Sequence, residues 1–234
     1  MLLAIDTSTS YIGIAVYDGN SILGEETWMS INRHTVVLAP AVKQLFTNIE
    51  IVPSDIKVTA VALGPGSFTS LRVGMAFAKG FALGNKIPVL GIPTFDIVSL
   101  SQPVKSKPMI TILPAGRGRF AISTYTAQNK KWITDHVISV VTIDDLIEKI
   151  TVPTIICGEI DGDSAVALRK GNKNILLTSP ILRLRRPGYL ADTAWKIWKK
   201  GDYPDGSTLS PIYLHSKDPI PDQKPGYEFE NRDS

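Results

Sequence analysis

Short apolar runs recur in two sets of three along the chain, and each set predicts a β-meander. Apolar runs bounded by turn residues are typical of antiparallel strands. The first two strands of each set match without a gap at a constant offset of 108 residues, which indicates an internal duplication. The predicted strands are 2–6, 11–17 and 21–27 in the first set and 109–113, 120–125 and 131–137 in the second.

Helices and further strands are predicted after each meander from the spacing of apolar residues. Two meanders, each elaborated by helices, predict a duplicated α/β fold of the actin-like, sugar-kinase-like (ASKHA) class. We expect an N-terminal lobe at residues 1–100, a C-terminal lobe at 101–214 and a flexible tail at 215–234. The predicted helices are 34–49, 67–84, one beginning at Thr94, 143–150, 163–170 and 189–200, with strands at 58–63, 89–92, 154–157 and 174–178.

The turn after the fourth predicted strand leads into a long apolar helix and is the most distinctive stretch of the sequence. Gly64 and Gly66 allow positive φ values and close backbone approach, and Pro65 stiffens the turn. Ser67 or Thr69 can cap the helix. Two interpretations stay open, a helix N-terminus that binds phosphate and a capped turn that only redirects the chain. The turn is not a Walker loop, because no Gly-Lys-Ser/Thr follows the glycines.

The helix predicted at 67–84 is apolar around most of its circumference. The sheet covers one side, and a second chain is the natural cover for another. The alternative is that helix 34–49 and the second lobe bury all of it. One stripe contains Phe68, Leu71, Met75, Ala78 and Ala82; Val73, Phe77 and Phe81 lie at other angles, and Gly74, Gly80 and Gly84 let a neighbouring helix approach.

Candidate catalytic groups are sparse. Actin-like ATPases place a carboxylate after the first strand of each half, and Asp6, Thr7 and Ser8 fit the first of these phosphate loops. Pro114 stands at the corresponding position of the second half and offers neither a metal ligand nor an N–H donor. The sequence contains no His-x-x-x-His pair for a metal. We therefore expect no metal site, no ATP hydrolysis by this chain alone, and only a vestigial phosphate loop.

Bulk composition changes this picture little. Hydrophobic residues form 44% of the 234 residues, enough for a core, and no apolar run is long enough to span a membrane. The single cysteine, Cys157, excludes an intrachain disulfide, fits a reducing compartment and is predicted to be buried. The N-terminus has no basic leader, so no signal peptide is predicted and a cytoplasmic location is expected.

Basic residues gather near the C-terminus, although the net charge is only +3. They form either a footprint for nucleic-acid phosphates or the solvated face of a helix, and the second interpretation is favoured. The cluster consists of Arg183, Arg185, Arg186, Lys196, Lys199 and Lys200, with Asp192 as the local carboxylate.

Residues 64–74 read Gly-Pro-Gly-Ser-Phe-Thr-Ser-Leu-Arg-Val-Gly, which resembles the signature of the bacterial TsaB (YeaZ) family with Ser70 in place of the usual Gly. The resemblance extends from Met1 to about Leu214. It departs in the second half, where the usual Asp-Ala-Arg-x-Gly-Glu reads Pro-Ala-Gly-Arg-Gly-Arg at residues 114–119. The other shared stretches are 3–8, His34-Thr35 with Leu38 and Pro40, and 211–214, after which His215 replaces the usual Arg.

The resemblance implies a non-catalytic scaffold that binds TsaD and, with TsaE, supports threonylcarbamoylation of the tRNA adenosine 3′ of the anticodon. It implies a homodimer in isolation, tRNA contact only through the complex, and no cofactor of its own, with any nucleotide at a partner interface. An actin-fold ATPase, kinase or carbamoyl transferase acting alone is the alternative, and a tRNA-binding module is a third interpretation. The implied interface comprises His34, Leu38, Phe68, Leu71, Arg72, Met75, Ala78 and Lys79.

Overall fold

The computed structural model describes residues 1–214, so the predicted tail at 215–234 and His215 lie outside the described residues. Most predicted elements are confirmed, with ends that differ by a few residues. The first part of the chain forms β1 (Leu2–Asp6), β2 (Tyr11–Tyr17), β3 (Ile22–Met29), α1 (His34–Asn48), β4 (Val58–Gly64), α2 (Phe68–Asn85), β5 (Val89–Pro93) and α3 (Thr94–Leu100). The rest forms β6 (Met109–Gly116), β7 (Arg119–Gln128), β8 (Lys131–Ile133), β9 (Ser139–Val141), α4 (Ile143–Lys149), β10 (Thr154–Gly158), α5 (Gly162–Gly171), β11 (Ile175–Leu177), α6 (Pro180–Arg183) and α7 (Pro187–Lys200).

The two sheets share one strand arrangement, which confirms the predicted duplication and the actin-like fold. Their orders are β3-β2-β1-β4-β5 and β11-β10-β6-β7-β8, with β9 also paired to β7. In each sheet an antiparallel meander is extended by strands parallel to its first strand. The hairpin registers differ, because Asp6 pairs with Gly13 whereas Pro114 pairs with Phe120. The gap-free match between the halves is therefore wrong by one position in β7.

The second half also departs from the prediction between β7 and α4. The third strand was expected to reach residue 137, but β8 ends at Ile133. Thr134 Oγ1 and Asp135 Oδ1 accept backbone N–H bonds two residues ahead, and His136 has a φ of 60°. These are turn conformations, so the chain bends and then returns as β9 beside β7.

The last helix crosses back to the first sheet. Leu190, Ala194 and Ile197 of α7 are buried against β1, β2, β4 and β5. Further on, Leu209 and Ile212 pack into the core beneath α1 and α2. This differs from the predicted C-terminal lobe at 101–214, because α7 and the segment after it complete the first lobe. A helix on the second face hides apolar surface that the sheet would otherwise expose.

Helices cover both faces of the first sheet, and α3 connects that sheet to the core of the second lobe. Buried residues of α1 and α2 pack on one face, and α7 packs on the other. From α3, Phe95 and Val98 pack into the second lobe beside Leu113 and Cys157.

Cys157 is buried in β10, as predicted, and burial raises the pKa of its thiol to about 12. Among residues 1–214, no helix is long and apolar enough to cross a membrane.

Candidate functional site

The signature turn is built around the loop that follows β1. Gly64 has a φ of 107°, and its N–H donates to Thr94 Oγ1 at 3.0 Å. A Cβ at position 66 would overlap the carbonyl oxygen of Ser8, so only glycine allows this approach. The N–H of Ser67 donates to that carbonyl at 2.7 Å. The glycines therefore let two loops of the first lobe pack together.

The start of α2 is capped by its own residues. Of the two candidates, Ser67 is the cap, and its hydroxyl accepts from the N–H of Ser70 at 3.5 Å and from the Ser70 hydroxyl at 3.0 Å. Thr69 is exposed and does not cap. Thr7 donates its hydroxyl to the carbonyl of Ser70 at 2.7 Å. These contacts favour the capped turn over a phosphate site.

A buried ion cluster, which we call the Arg185 clasp, joins the two lobes. It consists of Arg185 with Asp6, Thr9 and Glu159. Arg185 Nε donates to Asp6 Oδ2 at 2.9 Å, Nη2 donates to Thr9 Oγ1 at 2.9 Å, and Nη1 donates to Glu159 Oε1. Thr9 donates its hydroxyl to the same Glu159 oxygen at 2.6 Å. Because Asp6 ends β1 and Glu159 follows β10, one guanidinium ties equivalent edges of the two sheets together.

The clasp is almost closed to solvent. The side chains of Arg185 and Asp6 are 2% and 4% exposed, and that of Glu159 is 11% exposed. Burial alone would lower the pKa of Arg185, but the charges of Asp6 and Glu159 raise it overall. The guanidinium is therefore held as a cation whose charge is compensated inside the protein.

The clasp bears on two predictions. Asp6, Thr7 and Ser8, predicted as a vestigial phosphate loop, are all buried, and that role stays a prediction. The second carboxylate oxygen of Asp6 accepts from the N–H and hydroxyl of Ser8. Arg185 was predicted as a surface cation in the basic cluster, and it is buried instead.

The rest of the basic cluster is largely engaged on the protein surface. Arg186 forms an ion pair with Glu25, and Lys196 pairs with Asp192 at 2.8 Å. Lys199 Nζ lies 5.2 Å from the ring centroids of both Trp195 and Trp198. Arg183 has buried Nε and Nη1 atoms without a hydrogen-bond partner in the described part of the chain. The exposed ion pairs of Arg186 and Lys196 favour the solvated-face interpretation for these residues but not for Arg183, and direct tRNA contact by this segment stays a prediction.

The predicted interface residues fall into two groups. Five of the eight are buried within the single chain: His34, Leu38, Leu71, Met75 and Ala78. His34 Nε2 lies 2.8 Å from the carbonyl oxygen of Thr9, so its ring supports the loop beside the clasp. Lys79 donates to the carbonyls of Ser207 and Leu209, and it anchors the C-terminal segment along α2. These six residues are thus engaged within the chain, and their role in an interface stays a prediction.

Phe68 and Arg72 are the predicted interface residues that remain at the surface. The ring of Phe68 is 52% exposed. The guanidinium carbon of Arg72 lies 3.9 Å from the centroid of that ring, and Nε donates to the Tyr213 hydroxyl at 3.0 Å. Tyr213 also packs on Phe68, with centroids 4.7 Å apart. An exposed cluster of two aromatic rings and one arginine thus marks the start of α2.

Sequence analysis missed Glu159, Thr9 and Tyr213. A signal existed for Glu159, which directly follows a buried strand as Asp6 ends one. Tyr213 lies in the shared stretch 211–214, but its contact with Phe68 and Arg72 gave no signal, because those residues lie about 140 positions earlier in the chain.

A second buried contact between the lobes joins α3 to β7. Tyr125 donates its hydroxyl to Asp96 Oδ1 at 2.8 Å, and Asp96 Oδ2 has no partner in the described residues. Burial raises the pKa of Asp96 above its ordinary value of 3.8, while the Tyr125 hydrogen bond lowers it in part. As the pH rises above 3.8, the unfolded chain therefore loses this proton before the folded chain does. The contribution of Asp96 to stability falls across that pH window.

We expect Tyr125→Phe to lower the free energy of unfolding by about 1–3 kcal/mol at pH 8 and by less at pH 4. The lost hydrogen bond stabilises the ionised carboxylate more than the protonated one, so its removal costs more at the higher pH. Urea unfolding at both pH values measures the difference, with Tyr203→Phe on the first lobe as the matched control. An equal loss at pH 4 and pH 8 would contradict this assignment.

Comparison with known proteins supports the resemblance found in the sequence. The family model for TsaD, tRNA N6-adenosine threonylcarbamoyltransferase, matches residues 23–152, which is more than half of the chain. The chain is 29% identical to the tRNA threonylcarbamoyladenosine biosynthesis protein TsaB of Buchnera aphidicola subsp. Schizaphis graminum, over 68% of this chain and 78% of that protein. It is 30% identical to the TsaB of Bacillus subtilis, over 55% of this chain and 56% of that protein.

The fold comparison agrees. YeaZ from Pseudomonas aeruginosa superposes with a TM-score of 0.69 at 18% identity, over 91% of this chain and 99% of that one. At this identity the likeness shows the fold, and the family follows from the sequence matches and the signature at residues 64–74. The chain therefore belongs to the TsaB (YeaZ) family of tRNA threonylcarbamoyladenosine biosynthesis proteins.

Proposed function

We propose that this protein is a non-catalytic partner of TsaD, which it supports in threonylcarbamoylation of the tRNA adenosine 3′ of the anticodon, together with TsaE. The observation that carries the proposal is the Arg185 clasp. In the clasp, Asp6 forms a buried ion pair with Arg185 between the lobes. An actin-like ATPase would instead direct this carboxylate toward nucleotide. Pro114 in β6, at the position that corresponds to Asp6, supplies no second carboxylate.

The proposal includes no cofactor or metal of the chain's own and places the protein in the cytoplasm. Within residues 1–214, no group of three or more His, Cys, Asp or Glu side chains is placed to hold a metal ion. The chemistry and its metal would belong to TsaD, and any nucleotide would lie at the interface with it. Contact with tRNA would then be made through the complex.

The docking surface that we propose is the outer surface of α1 and α2, called the α1–α2 face. The two helices lie side by side on the first sheet, with Phe46 against Phe81. The face exposes Val36 on α1 and Phe68, Arg72, Ala76 and Leu83 on α2. Exposed apolar side chains around an aromatic–arginine cluster have the composition of an interaction site. The same face would serve a homodimer when TsaD is absent.

Ala76→Glu tests this surface without altering the core. Ala76 is exposed, whereas the neighbouring Met75 is buried and its substitution would report on folding. We expect Ala76→Glu to abolish association with the TsaD of the same organism, because an unpaired charge at the centre of an interface is costly to bury. Size-exclusion chromatography with light scattering measures both TsaD binding and self-association. Val166→Glu, on the exposed face of α5, is the control and should bind normally.

Two results would count against the proposal. Failure of the wild-type chain to bind TsaD would remove the proposed function itself. ATP hydrolysis by the purified chain that disappears in a folded Asp6→Asn variant would show that Asp6 acts in catalysis. Normal TsaD binding by a folded Ala76→Glu variant would move the docking surface elsewhere and leave the function standing.

A further inference from the structure

The two helices of the α1–α2 face carry positive charges and no negative ones. Neither α1, with 15 residues, nor α2, with 18 residues, contains an Asp or a Glu. Lys43 and Arg72 are exposed on the face, and Arg33 is exposed where α1 begins. In residues 1–214 none of these three cations takes part in an ion pair. Within residues 1–214 the face therefore carries exposed cations and no carboxylate from its own two helices.

We propose that the α1–α2 face selects an acidic helix of TsaD over a second copy of this chain, with Arg72 pairing with a carboxylate of that helix. This inference rests on the proposed function and adds the chemistry by which the partner is chosen. An isologous dimer would bring two copies of one positive face together, which like-charge repulsion opposes. A helix that carries Asp or Glu meets the same face with complementary charge.

Arg72 is prepared for such a pair before the partner arrives. Its guanidinium is stacked on Phe68, and its Nε is held by the Tyr213 hydroxyl. Holding a long side chain in one place lowers the conformational entropy lost on binding. With Nε engaged, the two terminal nitrogens are left for the bidentate geometry that a carboxylate fits. Lys79 cannot substitute, because it is already bound to two carbonyls of the C-terminal segment.

The surface beyond Arg72 leaves room for a helix. Ala76 and Gly80 follow Arg72 at intervals of four residues on the exposed side of α2. A Cβ added at Gly80 would meet no atom within 4 Å, so the chain's own packing does not require glycine there. A partner helix can approach closely along this line while its carboxylate reaches Arg72.

The test compares the salt dependence of two associations. Affinity for the TsaD of the same organism is measured at 50 and 500 mM NaCl, and self-association of the chain is measured by sedimentation equilibrium at the same two concentrations. We expect salt to weaken TsaD binding, because it screens opposite charges, and to strengthen self-association, because it screens like charges. Arg72→Glu should weaken TsaD binding roughly thirtyfold, the scale of an interface hot spot.

Lys170→Glu is the matched charge reversal on α5 of the second lobe and should leave TsaD binding unchanged. A Lys substituted for the facing carboxylate of TsaD should restore binding of Arg72→Glu. If wild-type chain binds TsaD but neither salt nor Arg72→Glu alters the affinity, the inference is wrong and the proposed function stands. Self-association that weakens with salt also overturns it. If the wild-type chain does not bind TsaD, both this inference and the proposed function are wrong.

Discussion

Arg185→Met is expected to lower the free energy of unfolding by about 3–5 kcal/mol, because it leaves two buried carboxylates without their shared cation. Met keeps much of the side-chain length but removes the donors to Asp6, Thr9 and Glu159. The remaining carboxylates repel each other in a site from which water is nearly excluded. Urea unfolding at pH 7, followed by circular dichroism, measures the loss.

A matched control is the neighbouring Arg186→Met. Arg186 pairs with Glu25 while its side chain stays 61% exposed, so its loss should cost less than about 1 kcal/mol. Adding Asp6→Asn and Glu159→Gln to Arg185→Met should restore part of the stability, because the uncompensated charges are then gone. Similar losses for the two arginine variants, or no recovery in the triple variant, would argue against a buried clasp.

Gly74→Ala and Gly80→Ala are expected to change stability in opposite directions, although they are the same substitution in the same helix. Alanine is favoured over glycine inside a helix by about 0.5–1 kcal/mol, and a Cβ at Gly80 meets nothing within 4 Å. A Cβ at Gly74 would overlap Thr7 Oγ1, the hydroxyl that donates to the Ser70 carbonyl. We therefore expect a gain at Gly80 and a net loss of about 1–3 kcal/mol at Gly74.

Thermal or urea unfolding of the two variants gives the comparison directly. In a Thr7→Ala background the loss at Gly74 should shrink, because the overlapping oxygen has been removed. Gains at both positions would mean that α2 does not pack closely on the loop after β1. Losses at both would mean that the exposed side of α2 is covered within the chain itself.

The sequence predicted those features of the fold that depend on residues close together in the chain. Period-two and helical spacings located both meanders and most helices, and the duplication followed from their repetition. Ser67 could be named as a cap because capping depends on residues only three positions apart. The turn at Thr134 and Asp135 was missed, because two short side-chain acceptors outweighed a run that otherwise had strand character.

The contacts of the Arg185 clasp could not be predicted from local sequence patterns. Arg185 lies 179 residues from Asp6 in the chain, and its neighbours Arg183 and Arg186 gave the segment the appearance of a surface charge cluster. The return of α7 to the first sheet places Arg185, two residues before that helix, beside Asp6. For the same reason the sequence predicted the apolar stripe of α2 and its cover by the sheet, but not the packing of Leu209 and Ile212 into the same core.

The most direct measurement is the amount of threonylcarbamoyladenosine in tRNA incubated with TsaD, TsaE and threonylcarbamoyl-adenylate, with and without this chain. We predict modification only when the chain and TsaD are both present. The variant Asp6→Asn/Glu159→Gln, once shown to be folded and to bind TsaD, should support the wild-type amount, because these carboxylates hold Arg185 and not substrate. Modification by the chain without TsaD, or its loss in that folded, TsaD-binding variant, would contradict a non-catalytic role.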